Sequence, residues 1–306
     1  MQKYIVTTTI NSPTEATLRF ASMSEWHLVV VGDTKTPHDE YRKIPNITYL
    51  SPEDQEKLCK PLSDAIGWRS IRRRNLGFLY AYREGAQVMA TVDDDNIPYE
   101  NWGEELYVGK EVEVDLYDDH NNFFDPISVT EHNELWHRGF PLQDVSFRSP
   151  RLIGRKKVKC LVQAAFWDGD PDIDAVCRLT KQPSVKFRPF HPFSTSKLTP
   201  FNSQNTFIHR DLIPDYLMIP HIGRMDDIWG AYYLQQRLSL TEPFIVFTSA
   251  TVYQARNEHD LTIDMKEEFI GYQNNPRIAL EKVYDIVPEK SRLAIDEYLK
   301  AFGNLS

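Results

Sequence analysis

Short runs of apolar, mostly β-branched residues alternate with more polar segments along the first third of the chain. Three such runs, Lys3–Thr9, His27–Val31 and Ile47–Leu50, end at residues that favour turns, and each predicts a strand. Segments with a helical spacing of apolar residues separate the strands. The clearest of them, Ser63–Glu84, ends just before Gly85, a usual helix stop. Strand and helix in alternation predict a parallel sheet covered by helices.

A fourth apolar run, Val88–Val92, ends in three consecutive carboxylates, Asp93, Asp94 and Asp95, and residues 96–98 then indicate a turn. Side chains at i and i+2 of a strand point to the same side, so Asp93 and Asp95 are expected to face one cation. Carboxylate oxygens suit Mg²⁺ or Mn²⁺, which proteins often hold together with substrate phosphates. Because ligands of open α/β sheets bind at the carboxyl ends of strands, we predict a metal–diphosphate site there. The alternative is an exposed acidic turn without a ligand.

The second half of the chain is less regular, and four prolines between residues 181 and 200 predict an extended connection. Around that connection the same patterns predict strands at Val158–Phe166, Asn205–His209 and Phe244–Thr248, and helices at Asp226–Leu240 and, with a break near Pro288, Leu280–Phe302.

Composition limits the classes of function. The chain has 306 residues, of which 41% are hydrophobic, so it can form one large α/β domain or two small ones. A net charge of −9 argues against a non-specific nucleic-acid binder. No apolar run approaches the ~20 residues of a membrane span, and the residues before the first strand lack the apolar stretch expected of a signal peptide. Cys59, Cys160 and Cys177 fit neither a disulfide framework nor a zinc site, so we expect a reducing, cytoplasmic setting.

Four arginines lie in the first turns of the helix predicted before the acidic run. Arg69, Arg72 and Arg73 are spaced to share one helix face, and Arg74 follows them. Arginine binds phosphates and carboxylates with two parallel hydrogen bonds, so one of the four is expected to contact donor phosphates or the aspartates. A solvated helix face is the alternative.

Two further positions are candidates for chemistry. Asp226 and Asp227 begin the helix that contains Trp229, and only one of the two aspartates is needed as a helix cap. The other is available as a general base or as an acceptor for a sugar hydroxyl. His259 is a candidate nitrogen ligand for the cation, although a lone histidine in a loop is more often a surface residue. The sequence contains neither a Walker-type phosphate loop nor a GxGxxG motif.

Several blocks occur together in an order that resembles the reversibly glycosylated polypeptides, which are plant UDP-arabinopyranose mutases, and the related STELLO-type glycosyltransferase domains. The blocks are RNLGF at Arg74–Phe78, the run Asp93–Asp95, WHRGFPL at Trp136–Leu142 and GRMDDIW at Gly223–Trp229, with further blocks at Phe166–Asp174 and Asn205–Asp211. The similarity covers roughly residues 1–260. The context of His259 is more similar to the STELLO-type branch.

The resemblance implies a GT-A nucleotide-sugar fold with a divalent ion on a nucleoside diphosphate. It assigns Asp93 and Asp95 as the metal and nucleotide aspartates, and Arg138 as the arginine that is reversibly glycosylated in the mutases. Asp226 and Asp227 match the aspartate pair before the family's tryptophan. The segments around Arg138 and after Asp95 depart from the mutases, which favours transfer to an acceptor over ring contraction.

Residues that contact the donor follow from the same resemblance and from the arginine cluster. The first two strands of a GT-A fold end in loops that contact the base and the ribose of the donor. Two arginines of the cluster and the first two aspartates of the acidic run are expected to contact the donor as well. The expected donor contacts are Thr8, Thr9, Asn11, Asp33, Arg72, Arg74, Asp93 and Asp94.

We therefore predict an α/β, GT-A-like fold with a single Rossmann-like, mostly parallel sheet flanked by helices. Residues 1–272 form the nucleotide-sugar transferase domain, and residues 273–306 form a C-terminal helical extension packed on it. The predicted function is transfer of a sugar from a nucleoside diphosphate, UDP first among them, to a carbohydrate or other acceptor with Mn²⁺ or Mg²⁺. The alternatives are a UDP-sugar mutase acting through Arg138 and a non-catalytic nucleotide-sugar-binding partner. Association into a homo-oligomer stays open.

Overall fold

The structure, a computed structural model, describes residues 1–238, 242–255 and 260–303. Across these ranges none of the helices has both the length and the apolar surface needed to cross a membrane. The strands are β1 (Lys3–Thr9), β2 (His27–Gly32), β3 (Ile47–Leu50), β4 (Val88–Val92), β5 (Asn96–Pro98), β6 (Glu111–Asp118), β7 (Arg151–Lys159), β8 (Val162–Gly169), β9 (Phe193–Thr195), β10 (Asn205–His209) and β11 (Ile245–Gln254). The α-helices are α1 (Glu15–Ala21), α2 (His38–Tyr41), α3 (Pro52–Ile66), α4 (Arg74–Arg83), α5 (Ala175–Lys181), α6 (Asp226–Leu238), α7 (Leu261–Asn274), α8 (Val283–Ile286) and α9 (Glu289–Gly303).

All of these strands belong to one sheet, ordered β3-β2-β1-β4-β10-β8-β11-β9-β6-β7, and β5 pairs with β11. The α/β class, with a large sheet flanked by helices, is confirmed, and β1, β3, β4 and β10 have the predicted bounds. Strands β3, β2, β1 and β4 are parallel, as predicted. β10 runs antiparallel to both of its neighbours, so the other half of the sheet is mixed rather than mostly parallel.

The predicted helix Ser63–Glu84 is wrong as one continuous element. α3 ends at Ile66, and Gly67 and Arg69 then have positive φ angles of 75° and 58°. A 3₁₀ turn and α4 follow. The break is held from outside the segment, because the carboxylate of Asp33 accepts hydrogen bonds from the backbone N–H groups of Arg69 and Ser70. Arg69 therefore lies in a loop, and the expected shared helix face of the arginines does not form.

Other boundaries also differ from the prediction, and the last strand, predicted at Phe244–Thr248, is the longer β11, Ile245–Gln254. The run Val158–Phe166 contains the end of one strand and most of another, since β7 ends at Lys159 and β8 begins at Val162. Residues 96–98 are strand β5 rather than a turn, because they pair with the far end of β11. The tight turn is formed by the aspartates themselves, and the backbone N–H of Asn96 donates to the carbonyl of Asp93 at 3.3 Å.

Helix α4 lies directly against the first two strands. A Cβ atom at Gly77 would be 2.4 Å from Cγ1 of Val6 in β1 and 2.7 Å from Cγ2 of Val31 in β2. Only glycine permits this separation, since contacts under 3 Å require a neighbour to move. The close approach holds Arg74, at the first position of α4, beneath the carboxyl ends of the parallel strands.

The C-terminal helix α9 packs on the rest of the chain. The hydroxyl of Tyr298 donates to the carbonyls of Ile213 at 2.8 Å and Tyr216 at 2.6 Å, and the hydroxyl of Ser291 donates to Pro220 at 2.6 Å. Residue 272 lies within α7, so the predicted boundary falls inside a helix. The division into a domain and an extension stays a prediction.

Substitution of Gly77 by Ala tests the close approach of α4. We expect the added methyl group to lower the free energy of unfolding by about 1–3 kcal/mol, because neither valine can retreat inside the sheet without disturbing its neighbours. Urea unfolding followed by circular dichroism measures the change. Gly303→Ala, where no atom of the described residues lies within 4 Å of the new Cβ, is the control and should be near neutral. Equal midpoints for the two variants would contradict the packing.

Candidate functional site

A cavity of about 500 Å³ lies at the carboxyl ends of β1 and β2. Its volume falls within the range of roughly 300–1,000 Å³ that is usual for small-molecule sites. Its lining comprises Thr8, Thr9, Ile10, Asn11, Val31, Asp33, Lys35, Arg69, Ser70, Ile71 and Asp94. We refer to it as the large cavity. The structure thus brings the residues expected to contact base and ribose to one place, with the middle aspartate of the acidic run. Lys35 and Ser70, which also line it, were not predicted.

Asp33 organises the wall of the large cavity. The residue is 4% exposed, and its carboxylate accepts backbone hydrogen bonds from Arg69 at 3.0 Å, Ser70 at 2.9 Å and Thr34 at 2.5 Å. These bonds fix the loop between α3 and α4 against the end of β2. Asp33 therefore shapes the cavity in addition to any contact that it makes with a ligand.

Asp94 joins the acidic turn to the loop after β1. Its Oδ2 accepts a hydrogen bond from the hydroxyl of Thr9 at 2.5 Å and another from the amide of Asn11 at 3.1 Å. The hydroxyl of Thr14 donates to the backbone carbonyl of Asp94 at 2.5 Å. The three contacts hold the turn at the border of the large cavity.

Asp93 is held by Arg74, whose side chain is fully buried. The guanidinium donates to Oδ1 of Asp93 at 2.6 Å, to the hydroxyls of Thr8 and Thr91 at 3.2 and 3.3 Å, and to the carbonyl of Ser203 at 3.0 Å. Burial raises the pKa of Asp93, and the positive charge of Arg74 opposes that rise. Arg74 is absent from the linings of both cavities described here. Its contacts position Asp93, and its predicted role in donor binding stays a prediction.

A second cavity of about 180 Å³, the small cavity, lies beside the large one, and Ile71 lines both. Its other lining residues are Arg72, Asp93, Arg138, Ser203, Gln204, Met218, Arg224, Asp226, Asp227 and Glu267. The first aspartate of the acidic run therefore meets the aspartate pair of α6 and Arg138, which are far apart in the sequence. Ser203 and Gln204 reach the cavity because β10 runs antiparallel to β4 and so begins where β4 ends.

Arg138 is clamped between two buried carboxylates. It donates to Oδ1 and Oδ2 of Asp172 at 2.7 and 3.0 Å, and to Oδ1 and Oδ2 of Asp227 at 3.0 and 3.3 Å. A further N–H group donates to the carbonyl of Arg224. Burial lowers the pKa of Arg138, but the two carboxylates outweigh it and raise the pKa above its ordinary value. The guanidinium is a fixed positive charge, which is unsuited to act as a nucleophile towards a sugar.

The two adjacent aspartates of α6 have different environments. Asp227 accepts hydrogen bonds from Arg138, from the backbone N–H and hydroxyl of Ser203 at 3.0 and 3.1 Å, and from the N–H of Ile228 at 2.9 Å. Burial raises its pKa, but the charge of Arg138 outweighs that effect and leaves the pKa below its usual value. Asp227 therefore has little capacity left for a ligand.

Asp226 is the better placed of the pair for chemistry. Its Oδ2 lies 2.7 Å from Nε of Arg72, and its Oδ1 accepts the backbone N–H of Asp227 at 2.9 Å. Burial raises the pKa of Asp226 to about 6, with the negative charge of Asp227 adding to the rise while Arg72 and Arg138 oppose it. A carboxylate with such a pKa is ionised at neutral pH and accepts a proton readily.

The four arginines of the cluster have separate roles. Arg69 borders the large cavity, Arg72 pairs with Asp226 in the small one, and Arg74 holds Asp93. Arg73 is buried against the ring of Trp68, 3.7 Å from its centroid, and serves the packing of α3. The sequence pattern offered no means of distinguishing these four environments.

The acidic turn brings one carboxylate to each cavity, and the expectation that Asp93 and Asp95 face one cation stays a prediction. Asp93 and Asp94 border the small and large cavities respectively, whereas Asp95 lines neither. The carbonyl of Asp95 accepts the N–H of Ala255 at 3.1 Å, so the end of β11 lies beside the turn. His259, four residues further on, lies outside the described residues. Within the described ranges no three His, Cys, Asp or Glu side chains form a ready metal site. Two carboxylates completed by substrate phosphates are the arrangement that Mg²⁺ commonly has.

Asp172, Asn202 and Gln204 are site residues that the sequence did not identify. Asp172 lies in an acidic loop after β8, and the amide of Asn202 donates to its Oδ2 at 2.9 Å. Burial raises the pKa of Asp172, but the charge of Arg138 more than reverses the effect. The polar run immediately before β10 was the available signal, and it required knowledge that β10 is antiparallel to β4.

Comparison with known proteins finds no family model that matches the chain. Two curated proteins of Arabidopsis thaliana are similar in sequence. "Probable glycosyltransferase STELLO2" is 23% identical over 93% of this chain and 41% of its own length. "Probable glycosyltransferase STELLO1" is 24% identical over 78% of this chain and 33% of its own length. The chain thus spans less than half the length of these relatives. Similarity to STELLO proteins is confirmed, and similarity to the mutases stays a prediction.

Solved structures of glucosyl-3-phosphoglycerate synthase from Mycobacterium tuberculosis also resemble the chain. Its complex with Mn²⁺ and uridine-diphosphate-glucose has a TM-score of 0.47 and 12% identity, covering 90% of this chain and 78% of that one. Its complex with Mn²⁺, uridine-diphosphate and glucosyl-3-phosphoglycerate has a TM-score of 0.47 and 11% identity, covering 90% and 80%.

Replacement of Arg138 by Met tests the buried clamp. The variant leaves Asp172 and Asp227 buried without their counter-charge, so we expect the free energy of unfolding to fall by about 3–5 kcal/mol. Urea denaturation measures the change. The control is Arg155→Met. Arg155 pairs with Asp115 on the surface, and 60% of the arginine side chain is exposed. Loss of this pair should lower the free energy of unfolding by less than about 1 kcal/mol. Indistinguishable stabilities would show that Arg138 carries no such structural role.

Proposed function

We propose that the chain is a glycosyltransferase that takes its sugar from a nucleoside diphosphate, with UDP as the first candidate. The observation that carries the proposal is the placement of the acidic turn between two cavities, one of nucleotide size and one that contains a buried carboxylate with a raised pKa. Sequence similarity to the two STELLO proteins, each named "Probable glycosyltransferase", supports the same reaction class.

The large cavity is the proposed site for the nucleoside. Thr8, Thr9 and Asn11 offer hydroxyl and amide groups at the carboxyl end of β1, and Asp33 offers a carboxylate at the end of β2. Hydroxyl, amide and carboxylate groups at strand ends suit a ribose and a base, in agreement with the general position of ligands in α/β sheets. The exposed side chain of Lys35 lies at the same cavity and can neutralise phosphate charge.

Asp93 and Asp95 are the proposed metal ligands, with His259 as a third. A bound Mn²⁺ or Mg²⁺ would neutralise the charge that develops on the departing diphosphate. This chain contributes the fixed position of the acidic turn: Arg74 holds Asp93 from below, and the loop after β1 holds Asp94 from the side.

Asp226 is the proposed general base. It lies in the small cavity with Asp93, and its proton affinity suits removal of a proton from an acceptor hydroxyl near neutral pH. Asp227 and Arg138 position it rather than react, because their polar atoms are occupied by each other and by Ser203. The same occupancy argues against a mutase that works through a glycosylated Arg138.

UDP binding tests the donor site and its metal. We expect UDP at one hundred times its dissociation constant to stabilise the chain by about 2.7 kcal/mol, with the effect reduced when EDTA replaces Mn²⁺. Thermal unfolding at matched ligand concentrations measures both values.

Asp95→Asn should lose the Mn²⁺-dependent part of the stabilisation, because an amide oxygen is a weaker ligand than a carboxylate. Asp39→Asn, at a side chain with 86% exposure, is the control. Equal stabilisation with Mn²⁺ and EDTA in the unaltered chain would contradict a metal-assisted donor site.

The pH dependence of turnover tests Asp226. Burial raises the pKa of Asp226, the charge of Asp227 adds to the rise, and Arg72 and Arg138 oppose it, which leaves a pKa of about 6. The base form is lost as pH falls through that value, so turnover should decline about tenfold per pH unit below it. Asp226→Asn should lower turnover by about 10²–10⁴-fold and remove this acid limb while UDP still binds. Release of UDP from UDP-sugars provides the assay, and a flat profile between pH 5 and 8 would exclude the assignment.

A further inference from the structure

Gln204 presents a buried amide to the small cavity. The residue is 7% exposed, and its backbone is fixed on both sides: its N–H donates to Asn202 at 3.1 Å, and its carbonyl accepts the amide of Asn96 at 2.9 Å. Among the described residues Nε2 of Gln204 makes no hydrogen bond, and Oε1 has only a contact of 3.5 Å with the amide of Asn202. Because Gln204 lines the small cavity, its Nε2 keeps donor capacity that a ligand with hydrogen-bonding groups can use there.

The arginines that line the small cavity are all paired with carboxylates. Arg72 contacts Asp226 at 2.7 Å, and Arg138 is clamped as described above. Arg224 contacts Glu268 at 3.0 Å and Asp264 at 3.5 Å, both from α7. Each positive charge at the wall therefore already faces at least one negative charge of the protein.

Carboxylates outnumber arginines around the small cavity in the part of the chain that the structure describes. Three arginines and four carboxylates line it, and behind the wall lie Arg74 and the acids Asp172, Asp264 and Glu268. Four positive and seven negative groups leave a formal excess of three negative charges, and a divalent cation at Asp93 would still leave an excess of one. An anionic ligand would be repelled, whereas an uncharged one would not.

The size and the remaining wall of the small cavity indicate the kind of ligand. Its volume of about 180 Å³ is well below the roughly 300–1,000 Å³ of sites for drug-sized molecules, so one ring-sized unit can enter. Ile71 and Met218 add apolar surface for the C–H groups of such a ring. The carboxylate of Asp226 and the amide of Gln204 add one hydrogen-bond acceptor and one donor.

We propose that the small cavity binds one uncharged, hydroxyl-bearing sugar ring, that Gln204 hydrogen-bonds to one of its hydroxyls, and that sugars carrying a phosphate or a carboxylate are rejected. The inference rests on the proposed function and deepens it, because it specifies the class of sugar. The ring can belong to the donor's glycosyl group or to the acceptor, and the chemistry that recognises it is the same.

Binding measurements separate the two sources. In the donor arm, calorimetry with Mn²⁺ compares UDP, UDP-glucose and UDP-glucuronate. In the acceptor arm, NMR titrations compare the methyl glycosides of glucose, galactose and xylose with the corresponding sugar phosphates, with and without UDP. We expect at least a tenfold preference for the uncharged ligand in one arm, which then identifies the source of the ring.

Gln204→Ala tests the specific contact. In the arm that shows the preference, the substitution should lower the affinity for the uncharged sugar by about three- to tenfold, as expected for the loss of one hydrogen bond. The affinity for UDP should stay unchanged. Gln273→Ala, on the exposed surface of α7, is the matched control and should change neither affinity. A change in the affinity for UDP itself would indicate structural damage rather than a sugar contact.

The outcomes also distinguish this inference from the proposed function. One outcome is that UDP binds but charged and uncharged sugars bind with equal affinity in both arms. Another is that UDP binds but Gln204→Ala changes the affinity for the sugar in neither arm. Either outcome overturns the inference while the donor site stands. If methyl glycosides bind in preference to sugar phosphates but UDP does not bind at all, the nucleotide-sugar function fails and the sugar site stands.

Discussion

The clamp of Arg138 between Asp172 and Asp227 is the interaction on which the geometry of the site depends. It joins the loop after β8, the start of α6 and the segment that carries Arg138, and none of these elements is adjacent in sequence. A buried charge without its partner costs several kcal/mol, so the three segments must come together as one unit. From Asp227 the contacts continue through Ser203 and Arg74 to Asp93. The position of the acidic turn is therefore tied to the position of α6.

The same clamp explains why two adjacent aspartates differ. Asp227 is committed to Arg138 and Ser203 and keeps a depressed pKa, whereas Asp226 points into the small cavity with Arg72 as its cationic partner and has a raised pKa. Environment rather than residue type separates a structural carboxylate from a reactive one. The helix cap that the sequence suggested for one of the pair does not capture this difference, because the partners that decide it lie elsewhere in the chain.

The sequence was informative where neighbouring residues determine the structure. Examples are the strands with hydrophobic periodicity and the acidic run at the end of β4. It failed where distant groups decide the outcome. The break after Ile66 depends on Asp33, which accepts N–H groups from a loop more than thirty residues away. The different environments of Arg69, Arg72, Arg73 and Arg74 depend on how deeply each side chain is buried, which the spacing of the residues in the sequence does not show. The polar run before β10 did not identify Gln204, since its place at the small cavity follows from an antiparallel strand in a sheet that had been expected to be mostly parallel.

The balance of charge connects the acidic turn to both cavities. Asp93 faces the small cavity, where carboxylates are in excess, and Asp94 faces the large one. A diphosphate that reached from the large cavity towards the small one would bring further negative charge against these groups. Like charges disfavour one another, and Arg74 and Arg138 are each already paired with carboxylates of the protein. A divalent cation at the turn relieves this repulsion without altering the clamp, which is why we expect the metal and the donor to bind together.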